Sequence, residues 1–372
     1  MRISENMKTL SLFQDLNRTM GRMLKTQNDL ATSTRIHRPS DDPGGTARLL
    51  SLKSYVNRNE RYQKNVEDGE SWIVATESTL NDVVDTITET DSVLMQASND
   101  TLGEDERKIL AGQMQEMLQY IVSLANQKLA DRYLFGGTNN DTAPFTISDE
   151  IEDESFTAAH DNAVALQNVG IRSGSVTVTT ADGLTEFTEG VDYTIDYDDG
   201  DITVLGSGSM ADGTNYLISY DTEKLSSVTL NPEGVDGALM RRIDEGVSLQ
   251  INVTASSIFA DTGGLIDVIQ QAIVALHRND RSSISNIRSQ LDSCLNRTTS
   301  VQGEVGSKIG RLEMQRERLS MNRVNLEGLI STIEDTDVAR AVIQLQKDQY
   351  VYQAALQTGA DLIQMSLLNY IR

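Results

Sequence analysis

Val305, Leu312, Leu319, Leu326 and Ile333 recur at an unbroken seven-residue interval. An α-helix with that spacing carries one narrow apolar edge along its whole length. The companion positions read Ile309, Arg316, Arg323 and Ile330. Two arginines there make a poor stand-alone dimeric zipper. They suit a helix that packs on one neighbour and leaves charge at an edge. Such a seam does not support an isolated helix, so another element must cover it.

The same pattern recurs at both ends of the 372-residue chain. Over residues 1 to 33, Phe13, Leu16, Met20, Met23 and Leu30 fall at helical steps, with Gln27 as a polar gap. Over 338 to 371, Val342, Leu345, Tyr352, Leu356, Ile363 and Tyr370 do likewise, with Gly359 as a weak point. Pro39 interrupts the first helix. Asp42 then Pro43 reads as an N-cap followed by a first helical residue, because proline needs no donor there. A long helix follows over 44 to 98, with Trp72, Val83, Ile87 and Leu94 on its seam. Thr101 and Glu104 have capping-box spacing and predict a further helix to about Tyr133. Residues 265 to 299 and 301 to 334 read as helix, as two pieces or one rod.

Between the helical stretches the pattern changes. Residues 141 to 223 hold 18 acidic residues and one basic, Arg172, against a net charge of -23 for the whole chain. Short alternating runs (VTVTT at 176, YTIDY at 193, ITVL at 202, YLISY at 216) are separated by Gly, Asp and Asn turns. That is a small folded β-rich region with an acidic surface. The transition falls at DRYLFGGTNND, residues 131 to 141. It reads as a helix stop and turn, with Gly136 or Gly137 left-handed and Tyr133, Leu134 and Phe135 packing back.

The expected class is therefore α+β: a long antiparallel helical shaft built from both chain ends, with coiled-coil termini and an inserted small β-rich domain. The expected divisions are 1–36, a terminal coiled-coil helix; 37–138, one half of the shaft; 139–250, the acidic insert; 251–336, the other half; and 337–372, the second terminal helix.

Little in the sequence points to chemistry. His37, His160 and His277 lack metal-ligand spacing, and Cys294 has no companion cysteine. GGTNND is no phosphate cradle, since neither GxxxxGK[ST] nor a strand–GxGxxG–helix pattern is present. The run DEIEDE, 149 to 154, lacks calcium-loop spacing and reads as a solvated face. Asp41 and Asp42 have no partner base or pocket and read as loop and cap residues. No cofactor or metal is expected, and the chain is not expected to be an enzyme. The acidic balance argues against nucleic acid as a partner. No uninterrupted apolar run of about 18 residues predicts membrane insertion. The N-terminus lacks the apolar core and cleavage site of a secretory signal.

Three separated blocks carry a resemblance. They are TRIHRPSDDPGGTARLLSLKSYVNRNERYQKNVEDGESWIVATESTL at 34 to 80, RYLFGGT at 132 to 138, and STIEDTDVARAVIQLQKDQYVYQAALQTGADLIQMSLLNYI at 331 to 371. In that order they resemble the bacterial flagellin superfamily, in its hook–filament junction branch. The likeness spans most of 1 to 138 and 250 to 372 and leaves the insert unmatched. Flagellin itself is the near rival, but an alanine-rich continuation after the acidic pair is expected there, where this chain has Pro43-Gly44-Gly45.

The resemblance implies a structural subunit outside the cell. It implies partners as well: further copies of itself in a ring, hook-associated protein 1, flagellin, and a cytoplasmic flagellar export chaperone. Export through the flagellum's own type III apparatus, without a cleaved signal peptide, belongs to the same expectation. The assembly seam would be Phe13, Leu16, Met20, Met23, Leu30, Val342, Leu345, Tyr352, Leu356 and Ile363. The inter-domain joint would be Arg38, Pro39, Asp41, Asp42 and Pro43, with Gly44-Gly45 as a hinge. Two other readings stand beside it: a flagellin-type filament subunit, and a coiled-coil adhesion or binding module.

Overall fold

A computed structural model describes residues 5–99, 102–222, 227–260 and 263–371, with the side chains of 5–6, 8–9, 227 and 362–371 left aside. The fold is α+β, with long helices from both chain ends and antiparallel sheets between them. It divides into two compact units. The terminal unit is Met1–Gln63 with Glu317–Arg372, and the middle unit is Lys64–Arg316.

In the terminal unit, α1 (Glu5–Thr32) pairs with α6 (Val338–Ile371). The start of α2 (Pro43–Ala97) and the end of α5 (Arg281–Glu334) belong to the same unit. Lys53 Nζ lies 2.9 Å from Glu334 Oε1 and ties α2 to α5 there. α2 begins at Pro43, as the Asp-Pro pair predicts.

In the middle unit the remainders of α2 and α5 run antiparallel. The register is marked by Arg316 to Glu70 at 3.0 Å, Gln302 to Asn81 at 2.9 Å and Arg288 to Asp91 at 2.8 Å. The predicted seam residues Trp72, Val83, Ile87 and Leu94 are buried, as are Val305, Leu312 and, in the terminal unit, Leu319. Leu326 and Ile333 are half-buried. α3 (Glu104–Ala125) packs on α4 (Leu265–His277), the most apolar helix. Among the described residues Ser256–His277 is the one stretch apolar and long enough to cross a membrane, and 62 % of its apolar window is buried. It serves here as a core element.

Three helix boundaries differ from the sequence expectation. Thr101 lies outside the described residues, and the N-cap of α3 is Gly103, whose N–H is met by the Glu106 carboxylate. α3 ends at Ala125, well short of Tyr133. The segment beyond is a tight hairpin, β1 (Lys128–Leu129) and β2 (Arg132–Tyr133), turning through Ala130 and Asp131 at φ 48° and 64°. Two left-handed residues in succession match the twist of a hairpin, and Asn-Gly would have announced them. The third difference is a break between α4 and α5. Asn279 is left-handed at φ 52°, and Asp280 caps α5 by accepting from Ser282 N at 3.0 Å and from the Ser282 and Ser283 hydroxyls at 2.6 and 2.5 Å. These bonds hold the Asp280 carboxyl below the usual range, the Ser282 hydroxyl first among them.

Arg107 sits fully buried at the turns joining α2 to α3 and α4 to α5. Its guanidinium donates to the carbonyls of Ala97, Asn99 and Leu102 and to Asn279 Oδ1, at 2.7 to 3.1 Å. Carbonyls at a helix C-terminus carry partial negative charge, so the cation is satisfied without a carboxylate.

The acidic region forms two small sheets around one apolar cluster. The first has the order β4-β10-β6-β7: β4 (Glu150–Thr157), β10 (Asn215–Asp221), β6 (Thr177–Thr180) and β7 (Glu186–Phe187). The second has the order β5-β9-β8: β5 (Ala163–Ala165), β9 (Asp201–Val204) and β8 (Tyr193–Asp196). Phe156, Val178, Tyr193, Ile202, Val204 and Ile218 fill the space between them. Each of the four alternating runs seen in the sequence contributes a strand. DEIEDE is not simply a solvated face. Glu154 is buried, accepting from Tyr220 Oη at 2.5 Å and Gln167 N at 2.7 Å, while Asp153 bulges at φ 54°. Burial first, then the Glu154 carboxylate, raises the Tyr220 phenol.

β3 (Phe145–Ser148) pairs with β11 (Ser227–Leu230) beside these sheets. The hairpin β12 (Met240–Asp244) and β13 (Val247–Gln250) lies on the helices, receiving Asn65 and Gln315 side chains at the carbonyls of Arg242 and Ile243. The β8–β9 turn is fastened to the helices by Lys108, 2.5 Å from Asp198, and by Arg278, whose Nε donates to the Asp199 carbonyl at 3.2 Å.

Candidate functional site

The functional candidates are surfaces, and they begin with how α1 meets α6. Along α1 the less exposed positions are Leu12, Leu16, Thr19, Met23, Thr26 and Leu30, alternating four- and three-residue steps. Along α6 they are Ala341, Leu345, Asp348, Tyr352, Ala355 and Gly359, with the same alternation. Leu16, Met23, Leu30, Leu345 and Tyr352 thus lie on the intrachain seam. Phe13 and Met20 lie off it, 56 % and 47 % exposed, as do Val342 and Leu356 at 39 % and 48 %. Ile363 lies within α6, and its side chain falls outside the described ones. Leu10, Leu24, Ile343 and Tyr350 are also exposed. Each helix of the pair therefore has one covered stripe and further apolar surface open beside it.

Gly359 is a fitted position rather than a weak one. A Cβ there would stand 2.7 Å from Leu12 Cδ2, so the leucine enters the space a larger residue would fill. Polar residues also occupy the seam. Asp348 is buried, with Arg22 Nη2 at 3.4 Å and Gln344 Nε2 at 3.0 Å, and Arg22 reaches Thr19 Oγ1 at 3.2 Å. A buried polar layer of this kind makes one register cheaper than its neighbours.

The joint residues come together with their helix ends. Ser33, at φ 60°, accepts from Thr336 N, and Arg35 N donates to Glu334 O at 2.8 Å, so the two connectors bridge each other. Asp41 accepts from the backbone N–H of Arg38 at 2.9 Å and His37 at 3.2 Å and from Lys25 Nζ at 3.2 Å. The Arg38 N–H first, then the Lys25 ammonium, hold its carboxyl below the usual range. Asp42 caps α2 through Gly45 N at 2.8 Å, which depresses its carboxyl, with the Arg35 and Arg48 charges adding to that. A Cβ on Gly45 would fall 2.5 Å from Asp42 Oδ2 and 3.0 Å from Ile36 Cδ1. Gly45 is thus required for close approach to the cap, while Gly44 meets nothing nearer than 3.7 Å. Arg38, Pro39 and Pro43 are exposed.

At the other turn, Leu134 and Phe135 are fully buried, and Phe135 meets Phe259 edge-on at 5.2 Å. Phe259 belongs to a π-helical turn, Ser256–Ala260. Tyr133 is half-buried under the Lys128 ammonium, 4.4 Å from its ring centre. Gly137 is left-handed at φ 59°, and a Cβ on it would meet the Gly234 carbonyl at 2.2 Å. Asn126, missed by sequence reasoning, bonds both ways with the Phe145 backbone at 2.9 and 3.0 Å, as a strand would.

A groove of about 1050 Å³ lies between β4, β11, α4 and α5. Its lining mixes amide and hydroxyl side chains with charged and apolar ones. Of its charged groups, Arg278 is spent on backbone carbonyls and Asp280 on capping α5. Cys294 is buried, and burial raises its thiol. Among the described residues no three His, Cys, Asp or Glu side chains are grouped to hold a metal.

Comparison with known proteins agrees with this arrangement. Residues 3–140 match the bacterial flagellin N-terminal helical region, and residues 288–371 match the bacterial flagellin C-terminal helical region. A flagellin from Clostridium tyrobutyricum is 21 % identical over 372 residues, covering 95 % of this chain and 96 % of that one. Flagellar hook-associated protein 3 of Escherichia coli K12 is 28 % identical over 147 residues, 39 % of this chain and 46 % of that one. A solved flagellar hook-associated protein from Vibrio parahaemolyticus shares the fold, with a TM-score of 0.54 and 15 % identity over 79 % of this chain and all of that one. With both helical regions matched in order on either side of a β-rich insert, the chain belongs to the bacterial flagellin superfamily.

Proposed function

We propose that this chain is the junction subunit of the bacterial flagellum, a ring of its own copies joining hook-associated protein 1 to the flagellin filament. The carrying observation is the terminal unit's surface. α1 and α6 cover one stripe between them and leave Phe13, Met20, Leu24, Val342, Tyr350 and Leu356 open. Each large apolar side chain covered by a neighbour contributes about 1.5–3 kcal/mol of transfer free energy before ordering costs. That is the chemistry of a subunit completed by its neighbours. RYLFGGT and the match to hook-associated protein 3 support the junction branch.

In this reading 1–36 and 337–372 form the inner layer, the residues from Arg38 to Pro43 form the joint, and 139–250 form the outer domain. The subunit is exported without a cleaved signal peptide, with a cytoplasmic chaperone holding its C-terminal end, and it performs no catalysis. Its site of action is outside the cell.

Deletion of the gene tests the proposal. Intact hooks lacking filaments, with flagellin shed into the medium, are the expected result, and a plasmid copy restores the filaments. The full-length likeness to a flagellin favours a filament subunit as the second reading. In that case the protein makes up most of the flagellar mass, and its loss removes the filament without releasing another flagellin.

A further inference from the structure

We infer that neighbouring copies dock side by side through the middle unit, the outer flank of α5 in one copy against the outer flank of α2 in the next, at equal height along the helices. The inference rests on the ring reading for its second copy and goes beyond it by naming the surface and the register. Both flanks belong to Lys64–Arg316.

Each of these helices carries a second stripe that its own molecule leaves uncovered. On α2, Asp68, Ser71, Ala75, Ser78 and Asp82 alternate three- and four-residue steps, all exposed except the half-buried Ala75. On α5, Ser300, Glu304, Ser307, Arg311 and Met314 alternate four- and three-residue steps, all exposed, Met314 at 68 %. Lys308 stands half-buried beside the α5 stripe. At about 100° per residue, each stripe lies to one side of its helix's buried face and the partner helix lies to the other. α2 holds α5 through Glu70 and Asn81, and α5 holds α2 through Arg316 and Gln302. Both helices turn their buried faces to the β12–β13 hairpin, which Asn65 and Gln315 reach. The two stripes therefore point in opposite directions, and one copy presents a flank to a neighbour on each side.

The charges on the two flanks are complementary. Lys308 and Arg311 make no ion pair among the described residues, and neither do Asp68 and Asp82. The contacts Arg316–Glu70 and Gln302–Asn81 fix the relative heights of the residues between them. Carried to a neighbouring copy without rise, those heights set Ser307 beside Ser78 and lay Lys308 and Arg311 over the small stretch Ser71, Ala75 and Ser78. Arg311 then stands about 9 Å in height from Asp68, and Lys308 about 9 Å from Asp82, a span that long cationic side chains lying over small ones can cross. Glu304 comes near the height of Asp82, and Lys308, one turn further along α5, faces both. Pairing two α2 stripes would instead set acid against acid, in a chain whose net charge is -23. Docking α5 on α2 sets cations against anions by a rotation about an axis parallel to the helices, with no axial shift. A heterologous contact of that kind closes into a ring of equivalent subunits.

Flagella isolated from cells carrying Ser78→Cys, Ser307→Cys, or both in one chain test this, with copper–phenanthroline as oxidant and the buried Cys294 left in place. The two positions face apart within a molecule, so a disulfide between them joins neighbours. The double variant is expected to give a ladder of dimers, trimers and higher species, and neither single variant is expected to crosslink. Lys308→Glu with Arg311→Glu should lower the amount of chain in flagella about tenfold or more, because two favourable pairs become repulsive. Adding Asp68→Lys and Asp82→Lys to the same chain should restore it. Circular dichroism of each purified chain confirms that it is folded. Dimers from a single variant, no ladder from the double variant, or charge reversal without effect on incorporation overturns the docking. A ladder that stops at one fixed size supports docking and ring together. A ladder without limit keeps the docking and sinks the junction reading in favour of a filament.

Discussion

In the terminal unit the large apolar side chains that are buried, among those described, are Ile36, Leu49 and Leu319. In the middle unit one small sheet cluster alone buries four times that many, before α3, α4 and the Phe135–Phe145–Phe259 group are considered. Most of the exposed large apolar residues lie in the smaller, terminal unit. The two regions have similar helix-forming sequence and opposite relations to solvent. One covers its seams with its own elements, and the other holds surface in reserve.

That contrast can be attacked in order of expected effect on the isolated chain. Phe135→Ala removes a ring enclosed on all sides and should cost about 3–5 kcal/mol, read as a loss of chemical stability of the middle unit. A loss under about 1 kcal/mol would mean that the enclosure is slack. Gly359→Leu forces Leu12 out of its place and should cost about 1–3 kcal/mol. Helical signal from the terminal unit falls while the sheet's tyrosine fluorescence holds, and a fall in both would deny the units their independence.

Leu356→Asp changes an exposed side chain and should shift isolated stability by no more than about 0.5 kcal/mol. The same variant should nevertheless be missing from cell-bound flagella. Normal incorporation would remove Leu356 from the assembly surface. The smallest effect concerns pH. Asp41 and Asp42 have depressed carboxyl values, so their stabilisation is complete above the unfolded value near 3.8 and is lost as pH falls through the lower folded values. Amide exchange at the start of α2 should quicken below that pH, and Asp42→Asn should flatten the dependence. An unchanged profile would mean that the cap does not hold the helix start.

The regular parts of this contrast were legible from the residues. Asp42-Pro43 marks a helix start, and the heptad from Val305 to Ile333 marks a seam, because both signals are local. The pairing surface of α1 was legible only in part. An apolar pattern selects Phe13 and Met20, whereas the covered stripe runs through Thr19 and Thr26 opposite Asp348. Polar seam residues are invisible to hydrophobic periodicity. The end of α3 was hidden for another reason: Ala130 and Asp131 take left-handed conformations that their identities do not advertise. Glu154 was read as part of a solvated face and Arg107 was read past, since a buried charge is recognisable only once its partners are in place.

Arg107 has one more implication. A single guanidinium grips the α2–α3 turn through three carbonyls and the α4–α5 turn through Asn279. Neither crossover can therefore loosen by itself without stripping a buried cation of part of its ligand set. The two turns are bolted by one rivet, and a protease probing for a loose strap there must wait for both to lift at once.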